Sequence, residues 1–244
     1  MIQLVTRGDD VGMCESANRG VLSSIREGCV RNISVMATGP ALAHAASLLA
    51  REPGVCVGLH VALNCEWVTP RWGNVLPAAQ VPSLCKPDGT QWETPNELHN
   101  RGFSVAEAMA EITAQLAKVR AAGFTVSYLD EHMGVGWIGL REPLAELCRR
   151  EGLVEAGAVA SFLPGKGTIA ERLTAQTGGT FVAVGHPCLP EPELDVFVLP
   201  GQKPGDTTRD RDAQRRWFSE PNLIGMIDAG HLRVVTYVEA ARAA

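Results

Sequence analysis

Short apolar segments alternate with segments of helical periodicity along the whole chain. The apolar segments predict strands at 2–6, 29–36, 55–63, 124–129, 153–160, 180–184 and 232–238. Helices are predicted between them, at about 14–28, 40–50, 105–123, 142–151, 167–177, 207–219 and 221–229. The clearest helix follows Ser104, whose spacing to Glu107 fits a capping box. Strand–helix units that follow one another without a linker predict one parallel α/β domain over residues 1–244, either a barrel or a doubly wound sheet.

One segment, residues 64–103, interrupts this alternation. It is rich in proline and contains three tryptophans, Trp67, Trp72 and Trp92. A loop of this length is uncommon in a compact domain and usually marks a functional insertion or lid. We therefore expect a Pro- and Trp-rich loop insertion near the active site. Two roles stay open for its tryptophans, because aromatic faces stack on sugar rings and also pack loops against a domain.

Composition narrows the class of protein. The 244 residues are 45% hydrophobic and 20% charged, which is typical of a globular domain. A net charge of −5 without a basic run argues against a nucleic-acid partner. The sequence predicts neither a signal peptide nor a membrane span. Seven scattered cysteines indicate unpaired thiols and a cytoplasmic location. No phosphate-binding glycine motif supports a nucleotide cofactor.

Carboxylates and imidazoles follow several of the predicted strands. These residues are Asp9, Asp10, His60, Asp130, His132 and His186. In parallel α/β folds the carboxyl ends of the strands gather at one face, and active sites lie there. We therefore expect side chains that are far apart in sequence to converge in one site.

Two imidazoles and one carboxylate can hold a divalent metal ion and leave positions open for water and substrate. We predict Asp10, His60 and His132 as the ligands of one such ion, Zn²⁺ or Mg²⁺. Asp9 lies beside them with a different orientation and is predicted to be the general base. His186, which arrives from another strand, is predicted to protonate the leaving group.

One further residue is predicted to support a metal ligand. Asp130 is expected to accept a hydrogen bond from a ligand imidazole. Structural explanations also stay open for the site residues, since an Asp-Asp pair suits a turn, His60 suits a buried core, and His132 and His186 suit surface loops.

The charged residues 206–212 are predicted to begin a solvated helix with local ion pairs.

These motifs, in this order, resemble the YdjC-like carbohydrate deacetylases. The matching segments are Gly8-Asp9-Asp10-Val11-Gly12, Asn18-Arg19-Gly20-Val21, Ser34-Val35-Met36, Gly58-Leu59-His60, Leu129-Asp130-Glu131-His132 and Gly185-His186-Pro187. The resemblance spans nearly the full chain. It implies a single-domain α/β fold, an irregular TIM-like barrel, and metal-dependent removal of acetyl groups from N-acetylated sugars, often chitooligosaccharides. It also implies the same roles for the metal ligands Asp10, His60 and His132, the base Asp9 and the acid His186.

The chain departs from the family pattern at four places. The family usually has a small residue before the aspartates, whereas this chain has Arg7-Gly8 there. Ala62 replaces a residue that is commonly polar in the family. Gly134 stands where the family has a second histidine, and Cys188 follows the His-Pro pair in place of glycine. We therefore expect the metal ligands to be kept and the sugar contacts to differ.

The sequence thus predicts a deacetylase that acts on a small-molecule or oligosaccharide substrate, without a nucleic-acid or membrane partner. A homodimer stays open. Two alternatives also stay open: a metal-dependent hydrolase or lyase with another substrate, and a non-catalytic sugar- or metal-binding relative. Assaying for acetate against other products separates the two enzymatic interpretations.

Overall fold

A computed structural model describes residues 1–243. Its strands are β1 (Ile2–Val11), β2 (Asn32–Val35), β3 (Cys56–Val61), β4 (Val126–Glu131), β5 (Val154–Glu155), β6 (Ser161–Phe162), β7 (Gly179–Gly185) and β8 (Leu232–Val235). Its helices are α1 (Glu15–Arg26), α2 (Leu42–Leu49), α3 (Pro95–Arg101), α4 (Val105–Ala121), α5 (Arg141–Glu151), α6 (Ala156–Val159), α7 (Ile169–Thr174), α8 (Asp206–Trp217), α9 (Pro221–Asp228) and α10 (Tyr237–Ala243). Within these residues no helix is long and apolar enough to cross a membrane.

The strands form one curled parallel sheet, a half-barrel with helices around it. The strand order is β5-β4-β3-β2-β1-β7-β6, and β8 pairs with the first half of β1. The α/β class and the parallel sheet are therefore confirmed. In the described chain the outer strands β5 and β6 do not pair with each other, and the short helix α6 spans the gap between them.

The predicted strand 153–160 is wrong, because the helix α6 forms within it. Its residues Ala156–Val159 form α6, with the two-residue strand β5 before the helix and the two-residue strand β6 after it. Alanine favours a helix, and Val154, which is β-branched, lies in β5 before the helix begins. Side chains on one face of the sheet, such as Leu4, pack against the surrounding helices, and those on the other face pack against α10.

The helix α4 begins where the capping motif predicts. The Ser104 hydroxyl accepts a hydrogen bond of 3.3 Å from the backbone N–H of Glu107. The carboxylate of Glu107 accepts instead from the hydroxyl and backbone N–H of Ser83, so it ties the 64–103 segment to α4. The capping box is thus half formed.

Residues 64–103 pack against the domain rather than standing clear of it. They contain α3 and a 3-10 turn, and Trp67 and Trp72 are buried. The Trp67 ring meets Phe197 edge-on, with centroids 5.4 Å apart. The buried carboxylate of Glu111 accepts hydrogen bonds from two consecutive backbone N–H groups of the segment. Burial therefore favours packing over sugar stacking for Trp67 and Trp72.

Candidate metal centre

Three of the predicted site residues meet at the carboxyl ends of three strands of the sheet. Asp10 lies near the end of β1, His60 lies in β3, and His132 follows β4 directly. Their exposed fractions are only 2%, 1% and 5%. Burial of two imidazoles and a carboxylate is costly unless their polar atoms are paired with one another or with an ion.

The polar atoms of these three side chains face one another. Asp10 Oδ1 is 3.6 Å from His60 Nε2 and 3.5 Å from His132 Nδ1. The two imidazole nitrogens are 3.2 Å apart. Atoms that bind one ion at about 2.0–2.2 Å lie in this range of separations from each other. We call Asp10, His60 and His132 the triad.

The opposite nitrogen of each imidazole is held by a carboxylate. His60 Nδ1 donates to Asp130 Oδ2 and His132 Nε2 donates to Glu66 Oε2, both at 2.9 Å. In the neutral imidazoles, which are the form that binds metal, these bonds select the tautomers in which the facing nitrogens carry lone pairs. Carboxylate partners of this kind orient metal-binding histidines and raise their basicity.

The carboxylate of Asp10 completes the test of fit. Its Oδ2 accepts a hydrogen bond of 3.0 Å from Arg211, while its buried Oδ1 has no hydrogen-bond partner. An unsatisfied buried carboxylate oxygen is costly, and a cation between it and two imidazole lone pairs removes that cost. The triad therefore fits a metal ion.

Asp9 lies beside the triad in a buried ion pair. Arg7 donates to both oxygens of Asp9, at 2.6 and 2.8 Å, and also contacts Asp130 and Tyr237. Strand alternation would place Asp9 and Asp10 on opposite faces of the sheet. Asp10 has a φ of 60°, in the left-handed region that is strained for an aspartate, and this change of direction brings both residues to one site.

His186 follows β7, the neighbour of β1 on its other side. Its Nδ1 donates to the Gln214 side-chain oxygen at 2.8 Å, which leaves Nε2 as an acceptor. Burial and the nearby Arg211 guanidinium lower the pKa of His186 below its ordinary value, against the opposing field of Asp10. His186 is therefore close enough to share the electrostatics of the triad, although it makes no hydrogen bond to it.

Negatively charged groups outnumber positively charged groups around the triad. Four carboxylates against two guanidinium groups leave a formal charge of −2 with neutral imidazoles; the groups are Asp9, Asp10, Glu66, Asp130, Arg7 and Arg211. Burial lowers the pKa of His132, but Glu66 and Asp10 outweigh burial and raise this pKa to about 10. The excess negative charge thus favours protonation of His132, and its formal value of −2 equals in magnitude the charge of a divalent cation.

Sequence reasoning missed three of these residues. Arg7 was noted only as a departure from the family pattern and was given no role in the site. Glu66 comes from the 64–103 segment, where no strand end marks it. Arg211 was predicted to be solvated, yet it is buried between Asp10 and the Trp67 ring. The sequence did contain a signal for Arg211, because its spacing places it on the same helical face as Thr207 and the apolar Phe218. In the structure all three residues are buried.

The fold and the triad define a parallel α/β protein with a side-chain cluster that could hold a metal ion. The model of the YdjC-like protein family matches residues 3–194. The chain therefore belongs to the YdjC-like family, as its motifs predict.

Individual relatives agree with this assignment. The chain is 31% identical over 133 residues to a carbohydrate deacetylase of Geobacillus stearothermophilus, covering 52% of this chain and 48% of that protein. It is 27% identical over 136 residues to one of Listeria welshimeri serovar 6b, covering 55% and 52%. The chain thus spans about half the length of the curated relatives it matches. A crystal structure of a proposed cellobiose-phosphate cleavage protein from Enterococcus faecalis V583 shares the fold, with a TM-score of 0.82, 18% identity, and coverage of 97% and 98%.

Proposed function

We propose that the chain is a divalent-metal-dependent hydrolase that removes an acetyl group from an N-acetylated sugar or oligosaccharide. The observation that carries this proposal is the triad, in which two carboxylate-backed imidazoles and an unsatisfied Asp10 oxygen face one another. The similarity to proteins named carbohydrate deacetylases supplies the substrate class. We further interpret the half-barrel as an irregular TIM-like barrel, since active sites of that fold lie at the carboxyl ends of the strands.

Asp10, His60 and His132 would hold the ion, Zn²⁺ or Mg²⁺. When bound, such an ion polarises the acetyl carbonyl and makes water a stronger nucleophile at neutral pH. The formal charge of −2 around the triad supports a divalent rather than a monovalent cation. Arg211 fixes the orientation of Asp10 so that its Oδ1, rather than its Oδ2, faces the imidazoles.

Asp9 is proposed as the general base that takes a proton from the attacking water. The Arg7 guanidinium fixes the plane of this carboxylate by donating to both oxygens. Each carboxylate oxygen has a second acceptor position, so the ion pair leaves room for a proton.

His186 is proposed to protonate the departing amine through Nε2. Its bond to Gln214 fixes the tautomer and turns Nε2 away from that partner. Because burial and Arg211 lower the pKa of His186, the imidazole is neutral at neutral pH. His186 therefore takes up a proton from solvent before it gives one to the amine. The proton that Asp9 takes from the attacking water is returned to solvent, so the two proton transfers balance.

An acetate-release assay tests the proposal. Purified chain is incubated with N-acetylglucosamine and its short β-1,4 oligomers, with added Zn²⁺ or Mg²⁺, and again after treatment with a chelator. We expect acetate and a free amine in equal amounts, with the reaction abolished by the chelator and restored by metal. Turnover that persists without metal contradicts the mechanism, and absence of acetate with every acetylated sugar contradicts the substrate class.

A further inference from the structure

A cavity of about 590 Å³ opens where the sheet fails to close, beside α6 between β5 and β6. Its volume lies within the range of about 300–1,000 Å³ found for small-molecule sites. Buried side chains of Arg7, Asp130 and Tyr237 line one part of it, and the exposed side chains of Trp137 and Phe162 line another. The cavity therefore runs from the buried polar groups of the site to the protein surface.

The buried part of the cavity touches the surroundings of the triad. Asp130 is the residue that accepts the hydrogen bond from His60 Nδ1, at 2.9 Å. Arg7 is the residue that holds Asp9 through two hydrogen bonds. A molecule in the cavity is thus separated from His60 and Asp9 by one side chain. Another cavity, of about 380 Å³, lies at the ends of α2 and α4 and includes none of these residues.

The exposed part of the cavity presents aromatic surface to solvent. Trp137 is 46% exposed and Phe162 is 72% exposed, although both side chains are large and apolar. The Trp137 ring is supported by His99, with ring centroids 5.2 Å apart. An exposed aromatic pair on one cavity is the kind of surface that marks a binding site.

The polar groups of the cavity favour a neutral ligand. Its lining carries two guanidinium groups and three carboxylates, from Arg7, Arg141, Asp130, Glu131 and Glu155. Both signs of charge are present, so neither an anion nor a cation gains from the whole lining. Within residues 1–243, Arg141 and Glu155 form no ion pair, so their side chains are available to hydroxyl groups.

We propose that this cavity binds a sugar ring of a neutral oligosaccharide, with Trp137 as its stacking surface. The C–H groups on the face of a pyranose ring pack on an indole, and its equatorial hydroxyls hydrogen-bond to Arg141 and Glu155. This proposal rests on the proposed function for its substrate class, and it adds a place for a sugar ring beside Asp130 and Arg7, the residues that hold His60 and Asp9. It assigns to Trp137 the stacking role that burial argues against for Trp67 and Trp72.

Binding of N,N′-diacetylchitobiose to the purified full chain tests this assignment. Calorimetric titration is performed on the wild type and on Trp137→Ala, Trp137→Phe and Trp217→Ala. Trp217 is the matched control, because it is 38% exposed at the end of α8 and does not line the cavity. We expect Trp137→Ala to weaken binding roughly tenfold or more, as for the truncation of a central aromatic contact. Trp137→Phe should retain most of the affinity, and Trp217→Ala should retain all of it.

Acetate release from the same samples separates this inference from the proposed function. Trp137-dependent binding without any acetate supports the sugar site and contradicts the deacetylase. Acetate release whose KM is unchanged in Trp137→Ala supports the deacetylase and overturns the sugar site. Equal affinity of Trp137→Ala and wild type, or no saturable binding by the wild type, also overturns the sugar site. Metal content and circular dichroism are measured for each variant to verify that the fold and the triad are intact.

Discussion

Residue by residue, the site depends on small departures from regular structure. Asp10 is the clearest case, because a regular strand would turn it away from Asp9. Its left-handed backbone and the register shift of β1 against β2 between Gly8 and Val11 place both carboxylates in one site. Consecutive aspartates can then have separate roles, one facing the imidazoles and one paired with Arg7.

Replacing the proposed base or acid should separate catalysis from metal binding. We expect Asp9→Asn and His186→Ala each to lower kcat by about 10²–10⁴-fold, the usual contribution of one acid–base group. Neither residue belongs to the triad, so bound metal should stay at the wild-type level. Steady-state kinetics together with metal analysis of the same samples checks this. Full activity in either variant removes that residue from the mechanism.

Glu66 should matter for metal affinity rather than for chemistry. Removing its carboxylate in Glu66→Ala frees His132 Nε2 from the partner that fixes the ring. Loss of such an orienting partner typically weakens metal binding by about 10–100-fold. Competition with a fluorescent zinc chelator measures the change, and Glu142→Ala is the control because Glu142 lies exposed on α5. Unchanged affinity in Glu66→Ala would show that the contact to His132 has no role in holding metal.

The sequence predicts the site at this scale only in part. Strand ends reveal Asp9, Asp10, His60, Asp130, His132 and His186, because parallel strands carry their terminal residues to one face. Their roles stay predictions. Glu66 and the Arg7–Asp9 pair depend on how a loop packs and how one side chain turns, and neither follows from periodicity. Arg211 was missed since charge alone suggested solvent, although its helical row is buried.

At the scale of elements, close packing of α1 against the turn after β7 holds His186 in place. Gly20 lies in α1, where an added Cβ would come within 2.7 Å of the Cys188 backbone nitrogen and carbon. Cys188 is two residues beyond His186, so the helix and the site share this contact. Glycine is required here by the approach of two backbones.

Gly20→Ala should therefore destabilise the protein. Overpacking of this kind typically costs about 1–3 kcal/mol, more than the gain in helix propensity. Gly225→Ala in α9 is the matched control, since nothing lies within 4 Å of its added Cβ. Urea unfolding of both variants gives the comparison, with Gly225→Ala expected at or slightly above wild-type stability. A Gly20→Ala variant as stable as the control would show that α1 can shift away from Cys188.

The elements themselves were predictable where periodicity is long and clear. Apart from α3, which lies in the segment predicted as a loop, the alternation of strand and helix over β1 to α5 appears directly in the apolar pattern, and α4 begins at the predicted residue. The pattern fails where elements are short, as in the two-residue strands β5 and β6, and where tertiary contacts decide. An apolar run predicted a strand as far as Val238, but Tyr237 begins α10 and packs on Tyr128, with ring centroids 4.5 Å apart.

At the scale of the whole molecule, the curled sheet produces both the opening of the cavity and the cluster of buried charges. The gap between β5 and β6 gives the cavity its opening, and the carboxyl ends of β1, β3 and β4 bring the triad together. A formal charge of −2 around the triad is unfavourable in a buried place. A divalent cation neutralises it, so binding of metal and stability of the native state should be linked.

Metal content is the most direct test of this account. Purified wild type is incubated with Zn²⁺ or Mg²⁺, desalted and analysed by mass spectrometry of the metal, beside His60→Ala and the exposed-histidine control His231→Ala. We expect one divalent ion per wild-type and His231→Ala chain and its loss in His60→Ala, with the fold of each verified by circular dichroism. A wild-type chain that retains neither ion, or a folded His60→Ala chain that retains a full equivalent, would contradict the assignment of the triad as a metal centre.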